Sequence, residues 1–314
     1  MSSHPVPPEQ NSPARPEPVR RRGPVTLTDV AAMHRRGEPL VMVTAYDHPG
    51  AQVADSAGVD LVLAGDSAAM TVLGYPSTVE VSVEEMLMLT AAVRRGLTTA
   101  LLVGDLPFGS YEVSDEQAVG TAQRFVKEAG CAAVKLEGGG AMAVSRARAI
   151  VQAGIPVMGH VGLTPQTAHA LGGFKAQGLS AERAREILAE ALALQDAGCF
   201  ALVFEAIPTE LTEAVMPRFT VPVIGIGAGA ATDGQVLVFH DLLGIFHDFT
   251  PRFTKRYGDL RTDMTDAIRA FADEVRDRAF PGPEHCYHMP EDELAAFSRS
   301  LLPQSRRAAT SSGA

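Results

Sequence analysis

The segment Leu61-Val62-Leu63-Ala64-Gly65-Asp66-Ser67-Ala68-Ala69-Met70-Thr71 contains the pattern that decides the fold. An apolar run from Val59 to Ala64, interrupted only by Asp60, is followed directly by a glycine, a carboxylate and a hydroxyl. A short apolar run bounded by glycine is typical of a strand buried on both faces. Asp66 then has two interpretations. It caps the next helix, or it lies at the carboxyl edge of the sheet, where α/β proteins bind their ligands.

The same arrangement recurs along the chain. Eight strands are predicted, at 40–47, 59–66, 99–105, 132–137, 155–160, 200–205, 221–227 and 235–240. Helices are predicted between most of them, at 28–36 (capped by Thr28-Asp29), 83–95, 114–127, 141–153, 181–196 and 210–216. This alternation predicts a parallel sheet with right-handed crossovers, and eight strands is the number that closes a (β/α)8 TIM barrel.

A doubly wound open sheet is the alternative fold. It is disfavoured because no G-x-G-x-x-G follows the first strand. The glycine-rich segment Gly225-Ile226-Gly227-Ala228-Gly229 comes after the seventh strand instead. There it either binds an anion through backbone N–H groups, as barrels often do, or allows tight backbone packing.

Composition excludes several classes of protein. The 314 residues are 46% hydrophobic and 20% charged with a formal net charge of −10, which argues against a nucleic-acid-binding surface. No apolar stretch reaches the roughly 18 residues of a membrane span, and the N-terminus lacks the apolar core of a secretory signal. Three widely spaced cysteines predict no disulfide framework. A cytoplasmic protein without membrane or nucleic-acid partners is expected.

The two ends of the chain differ in composition from its middle. Residues 1–23 are rich in Pro, Ser, Glu and Arg, and residues 303–314 have a similar polar character. Such segments bury too little apolar surface to offset the entropy of ordering, so both are predicted to be disordered tails. Residues 24–302 are predicted to form a single barrel domain with a C-terminal helical extension.

Ionisable groups end six of the eight predicted strands. They are Asp47, Asp66 with Ser67, Asp105, Lys135 with Glu137, His160 and Glu205. In a barrel, side chains at the carboxyl ends of the strands converge on one cavity. Each alone is more often structural than functional, but their repetition favours a shared site.

Several carboxylates held close together repel one another unless a cation lies among them. Oxygen ligands without cysteine favour Mg²⁺, which keeps several waters and uses one or two protein carboxylates. A bound α-keto acid would complete such a site, with the metal acting as a Lewis acid that stabilises an enolate. Lys135 would then neutralise the substrate carboxylate, and Glu205, which ends an apolar run, would be a general base.

Seven motifs together resemble the ketopantoate hydroxymethyltransferase family over roughly residues 25–290. The motifs are Gly65-Asp66-Ser67 with Met70-Thr71, Asp105-Leu106-Pro107-Phe108, Val134-Lys135-Leu136-Glu137-Gly138-Gly139, Gly159 to Gln166, Gly172 to Gly178, Pro222 to Gly229 and Phe280 to His285. The sequence departs from the usual pattern at Ala68-Ala69 and at Phe174, and neither change removes a group that the chemistry needs.

The resemblance implies a barrel of the phosphoenolpyruvate/pyruvate type that uses Mg²⁺. The family converts 3-methyl-2-oxobutanoate and 5,10-methylenetetrahydrofolate to 2-dehydropantoate in pantothenate biosynthesis. Matched residue by residue, it implies Asp66, Asp105 and Glu137 as metal-shell residues, and Asp66, Ser67, Asp105 and Lys135 as substrate-binding residues. It also implies Glu205 as the proton acceptor and a homodecamer as the assembly.

Two other functions compete with this one. A Mg²⁺-dependent α-keto-acid lyase of the isocitrate lyase type would carry a K-K-C-G-H-like loop, which this sequence lacks. A metabolite sensor built on a former enzyme barrel would lack the general base or one of the metal-binding residues. Residues of all the required types are present in this sequence.

Overall fold

The computed structural model describes residues 23–248 and 251–301. Within them, eight parallel strands close into a barrel in chain order, because β1 pairs with both β2 and β8. The strands are β1 Leu40–Thr44, β2 Leu61–Ala64, β3 Leu101–Asp105, β4 Ala133–Lys135, β5 Val157–Gly162, β6 Ala201–Glu205, β7 Val223–Ile226 and β8 Gly234–Leu237. The predicted (β/α)8 barrel is confirmed, and the open sheet is excluded.

Helices separate most strands and follow the last one. They are α1 Leu27–Arg36, α2 His48–Ser56, α3 Ala68–Thr71, α4 Val83–Gly96, α5 Asp115–Lys127, α6 Ala141–Gln152, α7 Ala181–Asp196, α8 Thr209–Val215, α9 Phe239–Leu242, α10 Leu260–Arg276 and α11 Glu291–Ser300. Every predicted helix is present. The predicted cap of the first one is wrong. Thr26, not Thr28, is the N-cap residue, because it forms a reciprocal capping box with Asp29.

The core has two layers because successive side chains on a strand point to opposite faces. Leu61 and Leu63 pack inside the barrel, while Val62 and Ala64 pack among the surrounding helices. All four residues of β2 are buried, as predicted for a strand covered on both faces. The interior layer contains Leu40, Met42, Leu61, Leu63, Leu101, Val103, Ala133, Met158, Ala201, Val203, Ile224 and Val236.

The described chain divides into two compact units, with the boundary between Asp259 and Leu260. The first contains the barrel. The second contains α10, a short 3₁₀ turn at Pro283–His285 and α11, with Phe280 in ring contact with Phe271 and His285. The predicted N-terminal tail, apart from Gly23, and the C-terminal tail lie outside the described residues. None of the described helices combines the length and apolar character needed to cross a bilayer.

Candidate active site

Strand parity brings the predicted site residues together. Asp105, Lys135 and Glu205 are the last residues of β3, β4 and β6, and each continues the set of side chains that points into the barrel. His160 has the same inward parity on β5, two residues before that strand ends at Gly162. The four side chains line one cavity of about 140 Å³ at the carboxyl end of the barrel, together with Asp66, Ser67 and Glu137. All the predicted site residues are therefore neighbours.

A buried lysine is the electrostatic centre of this cavity. Lys135 Nζ lies 2.8 and 3.1 Å from the two carboxylate oxygens of Asp105 and 3.5 Å from Glu137 Oε1. Burial disfavours its charge, but Asp105, Glu137 and Asp66 outweigh burial and raise the pKa of Lys135. The lysine is therefore a permanent cation.

The carboxylates around Lys135 are unequally compensated. Burial raises the pKa of Asp66 well above its ordinary value, and the charges of Asp105 and Glu137 raise it further. Burial also raises the pKa of Asp105, although Lys135 opposes this. Burial acts in the same direction on Glu137, but Lys135 and His160 outweigh it and lower the pKa of Glu137. Of the three carboxylates, Asp66 is therefore the one whose negative charge its neighbours compensate least.

His160 lies between two carboxylates. Its Nδ1 is 3.4 Å from Glu137 Oε1 and its Nε2 is 3.3 Å from Glu205 Oε2. Burial and Lys135 lower its pKa, but the two glutamates outweigh them and raise it to about 9. Within the described residues, neither ring nitrogen has a well-aligned hydrogen-bond acceptor, so the contacts are ion pairs. The Glu205 side chain is 14% exposed, compared with 2% for Glu137, so Glu205 is the glutamate that an entering molecule reaches.

A chain of three hydroxyls orients Ser67. Thr44 Oγ1 accepts a hydrogen bond from the Phe239 N–H and donates to Tyr46 Oη at 2.8 Å. Tyr46 Oη lies 2.8 Å from Ser67 Oγ. Either hydroxyl can be the donor in this contact; when Tyr46 donates its proton to Ser67, the Ser67 proton is left for a ligand. Burial raises the pKa of Tyr46 to about 12, so this proton is retained.

Two residues that sequence reasoning missed hold the carboxylates in place. Gln166 Nε2 donates to Asp66 Oδ2 at 2.9 Å, and the Gln166 backbone N–H donates to Glu137 Oε2 at 3.0 Å. Tyr111 Oη donates to Gln166 Oε1 at 2.6 Å, which fixes the amide so that its NH₂ faces Asp66. Gln166 stands inside the motif Gly159 to Gln166, so a signal existed for it. Tyr111 had none.

One predicted member of the cavity is wrongly placed. Asp47 was expected with the other strand-terminal acids, but its carboxylate accepts from the Gly50 N–H at 2.7 Å as the N-cap of α2. Asp47 is also exposed and does not line the cavity. The reason is that β1 ends at Thr44, so Asp47 stands beyond the strand, at the start of a helix. The capping interpretation considered for Asp66 applies to Asp47 instead.

Two further outcomes concern loops near the cavity. Asp241, at the end of the chain's eighth strand–helix unit, lines the cavity, and burial raises its pKa to about 6.

In the glycine-rich segment, a Cβ on Gly227 would lie 2.5 Å from the Phe253 ring, and one on Gly229 would lie 2.7 Å from Thr209 Oγ1. Close packing therefore explains these glycines, which favours the second of the two predicted alternatives.

The donor set fits a hard divalent cation. Asp66 and Asp105 offer buried carboxylate oxygens, and the raised pKa of Asp66 shows that added positive charge would be stabilised there. In residues 23–248 and 251–301, no group of three or more His, Cys, Asp or Glu side chains is arranged to hold a metal ion. Mg²⁺ does not require one, because it takes one or two carboxylates and completes its shell with water and substrate.

A closed barrel, a small cavity at the carboxyl ends of its strands and a partly exposed carboxylate facing buried charges define a (β/α)8-barrel enzyme. A solved structure of phosphonopyruvate hydrolase with oxalate and Mg²⁺ has the same fold, with a TM-score of 0.55, 14% identity and coverage of 87% of this chain and 96% of that one.

Sequence comparison defines the family. The model of ketopantoate hydroxymethyltransferase matches residues 24–283. A 3-methyl-2-oxobutanoate hydroxymethyltransferase of Chloroflexus aurantiacus is 52% identical over 87% of this chain and 96% of its own. A mitochondrial one of Arabidopsis thaliana is 47% identical over 94% and 86%. The chain belongs to the ketopantoate hydroxymethyltransferase family, and the family and enzyme class predicted from sequence are confirmed.

Proposed function

We propose that this chain transfers a one-carbon unit from 5,10-methylenetetrahydrofolate to C3 of 3-methyl-2-oxobutanoate, forming 2-dehydropantoate and tetrahydrofolate. One observation carries the proposal. A partly exposed carboxylate, Glu205, faces a buried cluster of Asp66, Asp105 and Lys135 across a cavity of about 140 Å³. The proposal agrees with the name of both hydroxymethyltransferase relatives.

The keto acid would bind through charge and hydrogen bonds. Lys135 would attract the substrate carboxylate, and the Ser67 hydroxyl would donate a hydrogen bond to a substrate oxygen. Asp66 and Asp105 would contact the substrate and hold Mg²⁺, and Glu137 would belong to the metal shell through a water. Mg²⁺ supplies Lewis-acid stabilisation of negative charge on substrate oxygen when it is bound. The phosphonopyruvate hydrolase structure with oxalate and Mg²⁺ shows that this fold accommodates such a pair in that protein.

Glu205 would act as the base. It would take the proton from C3, and the electrons of the broken C3–H bond would form the new bond between C3 and the one-carbon unit. The two bonds from the one-carbon unit to the folate nitrogens would break, a water would supply the hydroxyl group, and the C3 proton and the second water proton would end on those nitrogens as tetrahydrofolate leaves. His160, 3.3 Å from Glu205, would orient the base. The described lining of the cavity contains no cysteine, which disfavours the lyase alternative.

The Glu205→Gln variant tests the proposal. In deuterated water, the wild type should exchange the C3 proton of 3-methyl-2-oxobutanoate, and the variant should lose this exchange by about 100-fold or more. Binding of Mg²⁺ and keto acid should persist, because the lost group is not placed in either contact. Glu210→Gln, an exposed glutamate on α8, is the matched control and should keep full exchange. An undiminished rate in Glu205→Gln would exclude Glu205 as the base.

Three predictions stay as they were made from sequence. They are a homodecameric assembly, a cytoplasmic location and one barrel domain with a C-terminal helical extension. Sedimentation of the purified full chain would measure the first of these.

A further inference from the structure

The keto-acid cavity is too small for both substrates. Its volume is about 140 Å³, whereas sites for ligands of drug size, such as a folate, span about 300–1,000 Å³. The reacting carbons must nevertheless approach within about 3–3.5 Å of each other. The folate therefore needs a second cavity that opens onto the first beside Glu205.

A second cavity of about 590 Å³ meets this requirement. It lies among the loops that follow β5, β6 and β7, and it shares Phe174, Glu205, Pro251 and Phe253 with the keto-acid cavity. Glu205 therefore stands on the wall between the two cavities. A molecule in the second cavity would approach C3 next to the group that removes its proton.

From this geometry we infer that the second cavity binds the reduced folate, with its pterin and aminobenzoyl rings against Phe174 and Phe253 and its glutamate carboxylates toward Lys175 and Arg252. The inference rests on the proposed function and names the place of its second substrate. Flat ring systems are bound by apolar and aromatic walls. The anionic tail of a folate requires cations.

The charges of the lining match this orientation. Lys175 and Arg252 are its basic residues among the described side chains, and both are exposed, as expected where a charged tail reaches solvent. Glu205 is the single acid among the described lining residues and also lines the keto-acid cavity, so an anionic tail is repelled from that end. A ligand with an apolar head and an anionic tail is therefore oriented with its head toward Glu205.

The backbone holds this lining against the base. The Gln177 N–H donates to the carbonyl of Ala206, the residue after Glu205, at 2.9 Å, so the loop bearing Phe174 and Lys175 is tied to the end of β6. Ala206 has a left-handed φ of 49°, which is costly for a residue with a Cβ and is typical of functional sites. The absence of a Cβ at Gly227 also lets the Phe253 ring lie against the backbone.

Removing the two cations tests the inference. Lys175→Met and Arg252→Met should each raise the KM for 5,10-methylenetetrahydrofolate about 2- to 5-fold, the range of exposed ion pairs, and the double variant about 10-fold. The increase should be larger for a triglutamate than for a monoglutamate folate and should shrink at high salt. Lys127→Met and Arg218→Met, which remove exposed cations outside both cavities, should leave both KM values unchanged.

The keto-acid exchange reaction separates the possible failures. Exchange of the C3 proton without folate should stay within 2-fold of wild type in the double variant, which also shows that the variant is folded. A folate KM within 2-fold of wild type would overturn the inference and leave the proposed function intact. Loss of exchange in the double variant would place the two cations in the keto-acid site and also overturn it. Absence of exchange in the wild type would overturn the proposed function itself.

Discussion

Two aspartates at opposite ends of the barrel show how the same side chain serves stability in one place and chemistry in the other. Asp55 of α2 accepts five hydrogen bonds, from the backbone and hydroxyls of Thr98 and Thr99 and from the Ala100 N–H, at 2.5–3.0 Å. These residues lead into β3, so Asp55 fastens the amino end of the barrel. Asp66, at the carboxyl end, accepts one side-chain hydrogen bond, from Gln166, within the described chain.

The pKa shifts of the two groups follow from this difference. Burial of Asp55 is outweighed by its hydrogen bonds, which lower its pKa below the ordinary value. Burial of Asp66 is reinforced by two neighbouring carboxylates, which raise its pKa. A carboxylate whose charge is fully satisfied by the protein holds the fold together. One whose charge is left unsatisfied retains affinity for a ligand, at a cost in stability.

The largest effect is expected at the carboxyl end of the barrel, in the cavity that contains Asp66. Asp105→Ala removes a proposed metal ligand and the closest partner of Lys135. Mg²⁺ affinity, measured by calorimetry on the metal-free protein, should fall by more than about 100-fold, beyond the usual range for residues that only support a ligand. Activity that persists without added Mg²⁺ would contradict the metal site.

A smaller effect is expected one step away from the ligands. Gln166→Met keeps the side-chain volume but removes the donor to Asp66, so Mg²⁺ affinity should fall about 10- to 100-fold. In Tyr111→Phe the Gln166 amide is free to flip. The loss of Mg²⁺ affinity should then be about 10-fold or less. Gln123→Met, exposed on α5, is the control. Equal Mg²⁺ affinity in Gln166→Met and the control would show that Gln166 only packs.

The two aspartates should respond to neutralisation with opposite signs. Asp55→Asn weakens a hydrogen-bonded carboxylate and should lower the free energy of unfolding by about 1–2 kcal/mol. Asp66→Asn relieves repulsion from Asp105 and Glu137 and should raise the unfolding free energy of the metal-free protein by about 1 kcal/mol. Mg²⁺ should then stabilise the wild type but not Asp66→Asn. Denaturant unfolding of the three proteins, with and without Mg²⁺, measures this, and a destabilised Asp66→Asn would contradict the comparison.

The smallest effect is expected at the amino end of the barrel, where Asp55 should make the free energy of unfolding depend on pH. Because the folded pKa of Asp55 is lowered, its stabilising contribution is present above the unfolded value near 3.8 and is lost as pH falls below it. The unfolding free energy of Asp55→Asn should therefore approach that of wild type between pH 4 and 2. A constant difference between the two proteins across this range would argue against the role of the Asp55 charge.

Most of the barrel could be predicted because each strand carries its own signal. Buried strands are short apolar runs, and the glycines and caps that bound them are local features. Five strand ends were also assigned correctly to one cavity. This was possible because alternate side chains of a strand point to the same face of the sheet as far as its end. Asp47 was misassigned because its strand ends three residues earlier; Pro49, in the first turn of α2, is the local signal that Asp47 caps a helix.

The sequence by itself determined the eightfold alternation, the family and the acidic and basic groups that end the strands, since all of these depend on neighbours along the chain. Only the tertiary structure decided which of those groups share a cavity and how each charge is compensated. Gln166 reaches Asp66 across 100 positions of sequence, and Phe253 closes on Gly227 from a distant loop. Such contacts depend on where barrel closure places the loops in space. For this reason Asp47 caps a helix, Asp55 stabilises the amino end of the barrel and Asp66 is part of the candidate active site.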